Sequence, residues 1–526
     1  MTATTSSKTS SSKAAAVAVA AGIFSSRIVG LVRERVFAHY FGTSAAADAF
    51  RAAFRIPNFL QNLFGEGVLS ASFIPVYARL RAEGRDEEAA KLAEAIFALL
   101  FLVTSVLVLG GIFAAPWLID LIAPGFRGDT RLLTIHLVQV LFPGAALLVF
   151  SAWCLGILNS HRRFFLSYAA PVVWNLTIVA VLLWKGGHQA EARLAVTTAI
   201  GSVIGSGLQF IVQLPTVLKF LWPLRLHLQF ASEQVRAVVH SFTPVFFSRG
   251  VVQISAYVDS MLASFLPQGA VAVLGYAQTL TLLPVSLFGM AISAAELPAM
   301  SSELGTQEEI AAALRQRLAR GLENIAFFVV PSAAAFFILG DMVATTIYRS
   351  GHFQGHDVTL VWRVLAGSAV GLLASTSGRL YSSAFYALRN TRTPLNFAIV
   401  RVTLTLALGY LFALPLPHLL GIDRLWGVAG LTLSAGIAGW VEFALLRRAL
   451  HARIGAVPFS GARLAKLWLA AIVSAAVGYG VKLIFPIRQP LVIGPGVLAV
   501  FAGCYLVLVS MAGVAMPGRL KNLLRR

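Results

Sequence analysis

Charged side chains interrupt the apolar segment near the start of this sequence. The stretch SSRIVGLVRERVFAHYFG, residues 25–42, carries four of them: Arg27, Arg33, Glu34 and Arg35. At about 100° per helical residue, Arg27 and Glu34 share one face. A guanidinium group presents a planar fork of N–H donors that fits phosphate or carboxylate oxygens, so the chemistry open to this stretch is anion binding.

The next apolar segment repeats the pattern. Asp48, Arg51 and Arg55 follow at i, i+3 and i+7 and share one helical face, and Glu66 lies further along. One interpretation of Glu34, Arg35, Asp48 and Arg51 is a set of internal salt bridges that lock two helices together. Up to Arg55 the basic residues outnumber the acidic ones, so salt bridges alone do not account for them. This excess of positive charge favours a cavity for an anion.

Further charged residues fall inside later apolar segments: Arg249, Asp259, Glu296, Arg379, Arg401 and Glu442. An ionised side chain at mid-bilayer costs about 2.5–3.5 kcal/mol on insertion scales, so such residues face a cavity or a partner. Arg249 and Arg379 are candidates for the same anion cavity. Arg401 and Glu442 have a simpler interpretation as an inter-helix pair.

Composition defines the surroundings of these residues. The chain has 526 residues, of which 58% are hydrophobic and only 12% charged, with a mean hydropathy of +0.79. Apolar runs of 18 or more residues recur throughout, which indicates a polytopic membrane protein. The net charge of +20 is scattered in short clusters between these runs, which argues against nucleic-acid binding. Cys154 and Cys504 lie in apolar segments far apart, so neither a disulfide nor a metal site is predicted.

The hydropathy pattern predicts an all-α fold of about fourteen transmembrane helices. The predicted spans cover residues 14–41, 46–78, 92–121, 132–158, 167–185, 193–220, 235–265, 270–300, 320–346, 359–388, 394–415, 425–450, 462–485 and 491–514. Residues 1–13 are interpreted as a disordered tail before an uncleaved first helix. A cleaved signal peptide is the alternative, but the apolar pattern continues past Arg27.

Basic residues in the short connections predict the orientation. Twenty-five Lys and Arg residues lie on the side of the two termini and seven on the other, so both termini are predicted to be cytoplasmic.

An internal repeat predicts two lobes. Residues 63–65 (LFG) and 71–75 (ASFIP) recur as 287–289 (LFG) and 294–298 (AAELP). Six spans in each copy give a parallel repeat about an axis along the membrane normal, as in transporters. The predicted domains are the tail 1–13, a first lobe 14–225, a second lobe 226–455, and two added helices with a basic tail, 456–526. Chance similarity between small-residue helices is the alternative.

The sequence resembles a known family over nearly its whole length. SSRIVGLVRERVFAHYFG and ADAFRAAFRIPNFLQNLFGEGVLSASFIPVYARL are similar to the start of the MurJ/MviN proteins, lipid II flippases of the multidrug/oligosaccharidyl-lipid/polysaccharide exporter superfamily. The similarity continues through APGF (123–126), SYAAPVVWN (167–175), ASFLPQGAVAVLGYAQTLTLLPVSLFG (263–289) and YRSGHF (348–353), and ends at the Thr393-Pro394 turn.

The resemblance implies alternating-access transport of lipid II, the undecaprenyl-diphosphate-linked peptidoglycan precursor, from the inner to the outer leaflet. The implied location is the bacterial inner (plasma) membrane. Arg27, Arg33 and Asp48 match cavity residues of the family. Gln61 and Thr279 stand where the family often has arginines, and Arg55 and Arg249 are candidates to replace them. The implied partners are lipid II, membrane lipids and the cell-wall synthesis machinery.

Other function classes remain open at this point. Within the superfamily, the alternatives are an exporter of another polyprenyl-linked oligosaccharide and a multidrug exporter, for which acidic or aromatic cavities are expected. A membrane-embedded enzyme acting on lipid-linked sugars is disfavoured because the sequence has no HExxH motif, P-loop or paired carboxylates in an extended loop. A non-transporting scaffold is the third class. No cofactor or metal is predicted, and turnover is expected to be driven by membrane potential without obligatory sodium.

Overall fold

The computed structural model describes residues 3–64, 66–221, 232–303, 305–485 and 490–514. For residues 3–21, 57, 66–68, 70, 71, 243–256, 490 and 491, only the backbone is described. The regular structure in these ranges is helical, apart from one isolated β-bridge between Ser350 and Phe353. The predicted all-α class is therefore confirmed.

The helices fall into two compact units, Met1–Met261 and Leu262–Arg526. The described helices of the first unit are α1 (Ala3–Phe41), α2 (Ala45–Phe64), α3 (Glu66–Ala82), α4 (Asp86–Ile122), α5 (Gly128–Ser160), α6 (Phe164–Lys185), α7 (Glu191–Leu221) and α8 (Glu233–Ala263), whose last two residues pass the boundary. Those of the second unit are α9 (Ala270–Pro284), the π-helical segment Val285–Met290, α10 (Ala291–Ser301), α11 (Gln307–Ile338), α12 (Gly340–Tyr348), α13 (Gly355–Ala387), α14 (Arg392–Ala413), α15 (Pro415–Leu419), α16 (Trp426–Ile454), α17 (Gly461–Ile484) and α18 (Pro490–Met511).

Eleven helical stretches in the described ranges are long and apolar enough to cross a bilayer. They are α4, α5, α6, α7, Ala270–Ser301, α11, α13, Arg392–Leu419, α16, α17 and Val492–Met511 of α18. The chain is thus a multi-pass membrane protein. Each predicted span overlaps one of the helices, and the count of fourteen stays a prediction because α1, the α2–α3 pair and α8 are not among the eleven.

Two helices begin earlier than the predicted spans. The described backbone of α1 is helical from Ala3, ahead of the span predicted from residue 14, and the domain boundary of the N-terminal tail stays a prediction. The span predicted at 320–346 is two helices that meet at Leu339, and the first begins at Gln307. A capping box fixes that start, since Thr306 Oγ1 accepts from the Glu309 amide and the Glu309 carboxylate accepts from the Thr306 amide.

A tight turn pairs α1 with α2. Gly42 adopts φ +51°, in the left-handed region that glycine tolerates, and its amide donates to the Ala38 carbonyl at 2.9 Å. Two residues later, Ser44 Oγ accepts from the Ala47 amide at 3.3 Å and starts α2. Because the connection is so short, the arginine-bearing end of α1 lies beside the arginine-bearing start of α2.

Close backbone packing holds the core of the second unit together. A Cβ added to Gly371 of α13 would lie 2.3 Å from the Cα of Gly436 of α16. Small residues that allow such an approach are typical of membrane helix interfaces. In the first unit, the buried Trp153 of α5 donates to the Ala93 carbonyl of α4 at 3.1 Å. Both cysteines are free: Cys154 is buried in α5 and Cys504 is half-buried in α18.

In the second unit the repeated LFG motif coincides with an irregularity, because Leu287, Phe288 and Gly289 lie within the π-helical segment. Gly65, the glycine of the first copy, lies outside the described residues. Segments of π-helix inside α-helices frequently mark functional sites. The parallel repeat and its lobe boundaries remain predictions.

Candidate functional site

A buried carboxylate joins the arginines of α1 and α2. Glu34 is only 6% exposed, and its two oxygens accept from Arg33 at 2.6 Å and from Arg51 at 2.5 Å. The side chains of Arg33 and Arg51 are 19% and 16% exposed to solvent. The salt-bridge interpretation of Glu34 and Arg51 is therefore confirmed, and the same contact fixes two guanidinium groups beside one another.

Aromatic rings support the flat faces of these guanidinium groups. Arg33 lies 5.1 Å from the ring centre of Trp174 and 6.0 Å from that of Phe54, and these two rings are stacked. Trp174 is itself held by α7, because its indole N–H donates to the backbone and hydroxyl oxygens of Ser202. Because an aromatic ring covers a face of the Arg33 guanidinium, an anion would approach the N–H groups at the edge of that guanidinium.

Arg51 has the same kind of support, from Phe37 of α1, whose ring centre is 5.2 Å away. Asp48, one turn earlier on α2, is 3% exposed and has an interaction of its own. The predicted common face of Asp48, Arg51 and Arg55 thus runs from a buried carboxylate to two half-buried arginines.

Arg55 contacts the end of α8. Its guanidinium lies 5.8 Å from the ring centre of Tyr257, and the Tyr257 hydroxyl donates to the Arg55 backbone carbonyl at 2.7 Å. Asp259, half-buried two residues later, is close enough to Arg55 for electrostatic interaction. Tyr257 and Asp259 thereby connect Arg55 of α2 to a separate helix.

The charge of this region remains positive. α1, α2 and the end of α8 carry five arginines and three carboxylates: Arg27, Arg33, Arg35, Arg51 and Arg55, with Glu34, Asp48 and Asp259. Arg27 is exposed and Arg35 is half-buried. We call Arg33, Glu34, Arg51 and Arg55 the arginine cluster.

The remaining candidates lie on other parts of the described helices, or their side chains are outside the description. Gln61 is half-buried on α2, and the side chains of Glu66 and Arg249 lie outside the described residues. In the second unit, the Thr279 hydroxyl donates to the Gly275 carbonyl of its own helix at 3.0 Å, and Arg379 is exposed on α13.

Two other charged residues of the second unit have partners there. The predicted pair of Arg401 and Glu442 is confirmed, at 3.2 Å between α14 and α16. Glu296 lies 3.5 Å from Arg317. These contacts give both carboxylates a structural role between helices.

Sequence reasoning missed the aromatic partners of the arginines. Trp174 lies within SYAAPVVWN and Phe54 within the second resembling stretch, but neither was given a role. Spacing along α1 does not indicate the role of Phe37 either, because its ring supports Arg51 of the neighbouring α2. No local pattern indicates Trp174 or Tyr257, which come from helices far along the chain.

Comparisons with known proteins point to one family. The family model described as "Lipid II flippase MurJ" matches residues 37–493. A lipid II flippase MurJ of Burkholderia cenocepacia is 31% identical over 438 residues, 81% of each chain. A probable lipid II flippase MurJ of Rhizobium tropici is 30% identical over 442 residues, 83% of this chain and 80% of that one.

Solved structures give the same fold. A lipid II flippase MurJ in an inward closed conformation aligns with a TM-score of 0.77 at 25% identity, over 94% of this chain and 98% of that one. An inward-facing multidrug resistance transporter of the MATE family aligns with a TM-score of 0.63 at 17% identity, over 81% and 95%, and shares the fold alone. From the match of the family model over most of the sequence and the relatives at about 30% identity, we conclude that this chain belongs to the lipid II flippase MurJ family.

Proposed function

We propose that this protein is a transporter that moves lipid II from the inner to the outer leaflet of the bacterial plasma membrane, with both termini in the cytoplasm. In this proposal the arginine cluster binds the diphosphate of the lipid, and alternating access exposes it to one leaflet and then the other. The protein changes the position of the substrate and not its covalent structure, so it is not an enzyme.

The observation that carries the proposal is the arrangement of Arg33 and Arg51 around Glu34. A diphosphate has several oxygens in a small volume, and hydrocarbon rejects its charge. Two guanidinium groups that share one carboxylate and rest on aromatic rings are preorganised to replace its water shell. Arg55 supplies a third guanidinium one turn along α2.

Two of the remaining candidates have a supporting role in this proposal. Arg27, exposed on α1, adds positive charge that attracts the headgroup towards the cluster. Asp48, buried at the start of α2, helps to fix the position of that helix. Gln61 and Thr279 carry no charge, so in this proposal Arg55 supplies the positive charge that an arginine at those positions would supply. Arg249 and Arg379 are secondary candidates for binding the diphosphate.

The experiment is complementation in bacteria depleted of their own lipid II flippase. The wild-type chain should restore growth, whereas Arg33→Ala and Arg55→Ala should not, at unchanged membrane expression. Arg33→Lys should rescue only in part, because an ammonium lacks the planar fork.

Arg79→Ala is the matched control, since that arginine side chain is 80% exposed in an i, i+4 pair with Glu83. It should complement fully. Failure of the wild-type chain to support growth, together with no movement of lipid II in proteoliposomes, would overturn the proposed function. Full growth with Arg33→Ala and Arg55→Ala would overturn the role of the arginine cluster.

A further inference from the structure

The indole of Trp174 on α6 lies beside the guanidinium of Arg33 on α1. The guanidinium carbon is 5.1 Å from the centre of the indole ring. Arg33 also donates to Glu34, the next residue of its own helix, at 2.6 Å. Consecutive residues of a helix point about 100° apart, so this ion pair by itself does not fix the direction of the Arg33 side chain. The indole restricts that direction from a separate helix.

α7 fixes the position of Trp174 itself. The indole N–H donates to the backbone carbonyl of Ser202 at 3.2 Å and to the Ser202 hydroxyl at 3.1 Å. Ser202 is only 3% exposed, so water does not compete for these acceptors. α7 also comes close at Gly205, where an added Cβ would lie 3.0 Å from Cδ1 of the indole. The ring of Trp174 is therefore held from α7 by hydrogen bonding and by packing.

A column of aromatic rings joins the surroundings of the two arginines that share Glu34. Its four rings, with consecutive centres 5.7, 5.6 and 5.1 Å apart, belong to Trp174, Phe54, Phe50 and Phe37. Arg33 lies beside the first ring, and Arg51 lies 5.2 Å from the centre of the last. The positions of the two guanidinium groups are therefore fixed by packed rings as well as by one carboxylate.

The spacing of these two guanidinium groups bears on the choice of ligand. A diphosphate consists of two phosphate groups joined by one oxygen, so it presents oxygens to two guanidinium groups at once. A monophosphate is smaller and carries less charge, and a single guanidinium fork can bind it. Two arginines on either side of one carboxylate favour the diphosphate only while both are held in place.

We propose that Trp174 is a positioning residue that makes the arginine cluster select a diphosphate over a monophosphate. The inference rests on the proposed function and adds a residue that determines headgroup specificity. Trp174 acts through Arg33, because removal of the indole keeps the positive charge but frees the guanidinium to move away from Arg51. Diphosphate affinity then falls, whereas a monophosphate, which needs one guanidinium, still binds.

The experiment measures the binding of undecaprenyl diphosphate and undecaprenyl monophosphate to the purified full-length protein in nanodiscs. Trp174→Leu should lose about tenfold in diphosphate affinity, which is about 1.4 kcal/mol, at unchanged monophosphate affinity. Trp174→Phe keeps an aromatic ring for Arg33 and should lose about threefold at most, because the face of a phenyl ring also attracts a cation. Retained monophosphate binding shows that each variant is folded.

A double-mutant cycle with Arg33→Ala separates positioning from a general structural effect. Once Arg33 is absent, Trp174→Leu should cause no further loss of diphosphate affinity, because the indole acts only through that guanidinium. Trp184→Leu is the matched control. Trp184 lies on the same helix, is 70% exposed and also has a cation beside its ring, that of Lys185. This variant should bind both ligands as the wild type does.

Three results would overturn the inference: an unchanged ratio of diphosphate to monophosphate affinity in Trp174→Leu, an equal loss of affinity for both ligands, or the same loss of diphosphate affinity with and without Arg33. These outcomes are distinguishable from failure of the proposed function. If the wild type moves lipid II and prefers the diphosphate, but Trp174→Leu keeps that preference, the positioning role alone fails. If the wild type moves no lipid II, the proposed function fails.

Discussion

Glu34 should contribute more to the stability of the first unit than any exposed ion pair, because it is the common partner of Arg33 and Arg51. Glu34→Ala would leave two guanidinium groups, 19% and 16% exposed, without their acceptor. Breaking a buried pair from one side typically costs about 3–5 kcal/mol. Since both arginines keep some access to solvent, we expect the lower end, about 3 kcal/mol.

The assay is reversible unfolding of the purified protein in mixed micelles with increasing SDS. A double-mutant cycle with Glu34→Leu and Arg51→Met separates the interaction between the two side chains from the other effects of each substitution. The coupling energy of this cycle should be at least about 1.5 kcal/mol. Glu83→Gln is the control, because the Arg79–Glu83 pair is exposed, and no measurable change is expected. A coupling energy near zero would refute the inference that Glu34 holds the two arginines together.

Three further predictions concern other parts of the structure. Gly371→Val should abolish recovery of monodisperse protein on size-exclusion chromatography, because its Cβ would lie 2.3 Å from the Cα of Gly436. Asp341→Lys should lower the unfolding temperature, and adding Lys482→Asp should restore it, since the two side chains form an ion pair between α12 and α17. Burial lowers the pKa of His161, in the α5–α6 turn, from 6.5 to about 4. As pH falls from about 6.5 towards 4, the unfolded chain therefore binds a proton that the folded chain does not, and the free energy of unfolding should decrease. A free energy of unfolding that does not change with pH in the wild type, or an equal decrease in His161→Gln, would contradict this.

Hydropathy predicted the location of the helices well because the bilayer leaves few choices. A backbone in hydrocarbon must satisfy its hydrogen bonds internally, so each long apolar run becomes a helix. The ends of helices depend on weaker local effects. Thr306 and Glu309 carry a capping box that the hydropathy pattern did not use, and α11 therefore begins well before the predicted span.

The candidate site was only partly predictable for a different reason. Charge and helical spacing indicated Arg33, Arg51 and Arg55, because arginine in an apolar segment is unusual enough to stand out. Aromatic residues are common throughout this chain, so the partners Trp174 and Tyr257 did not stand out. Their roles depend on tertiary packing of α6 and α8, which local periodicity does not encode.

The most direct test of the central claim is the affinity of the purified protein for a polyprenyl diphosphate compared with the corresponding monophosphate. We predict that the wild type and Arg79→Ala bind the diphosphate more tightly. The Arg33→Ala and Arg55→Ala variants should each lose about 10–100-fold in diphosphate affinity, the equivalent of one charged hydrogen-bonding partner at about 1.5–3 kcal/mol. Equal affinity of the wild type and both variants for the diphosphate would contradict the claim that the arginine cluster binds it.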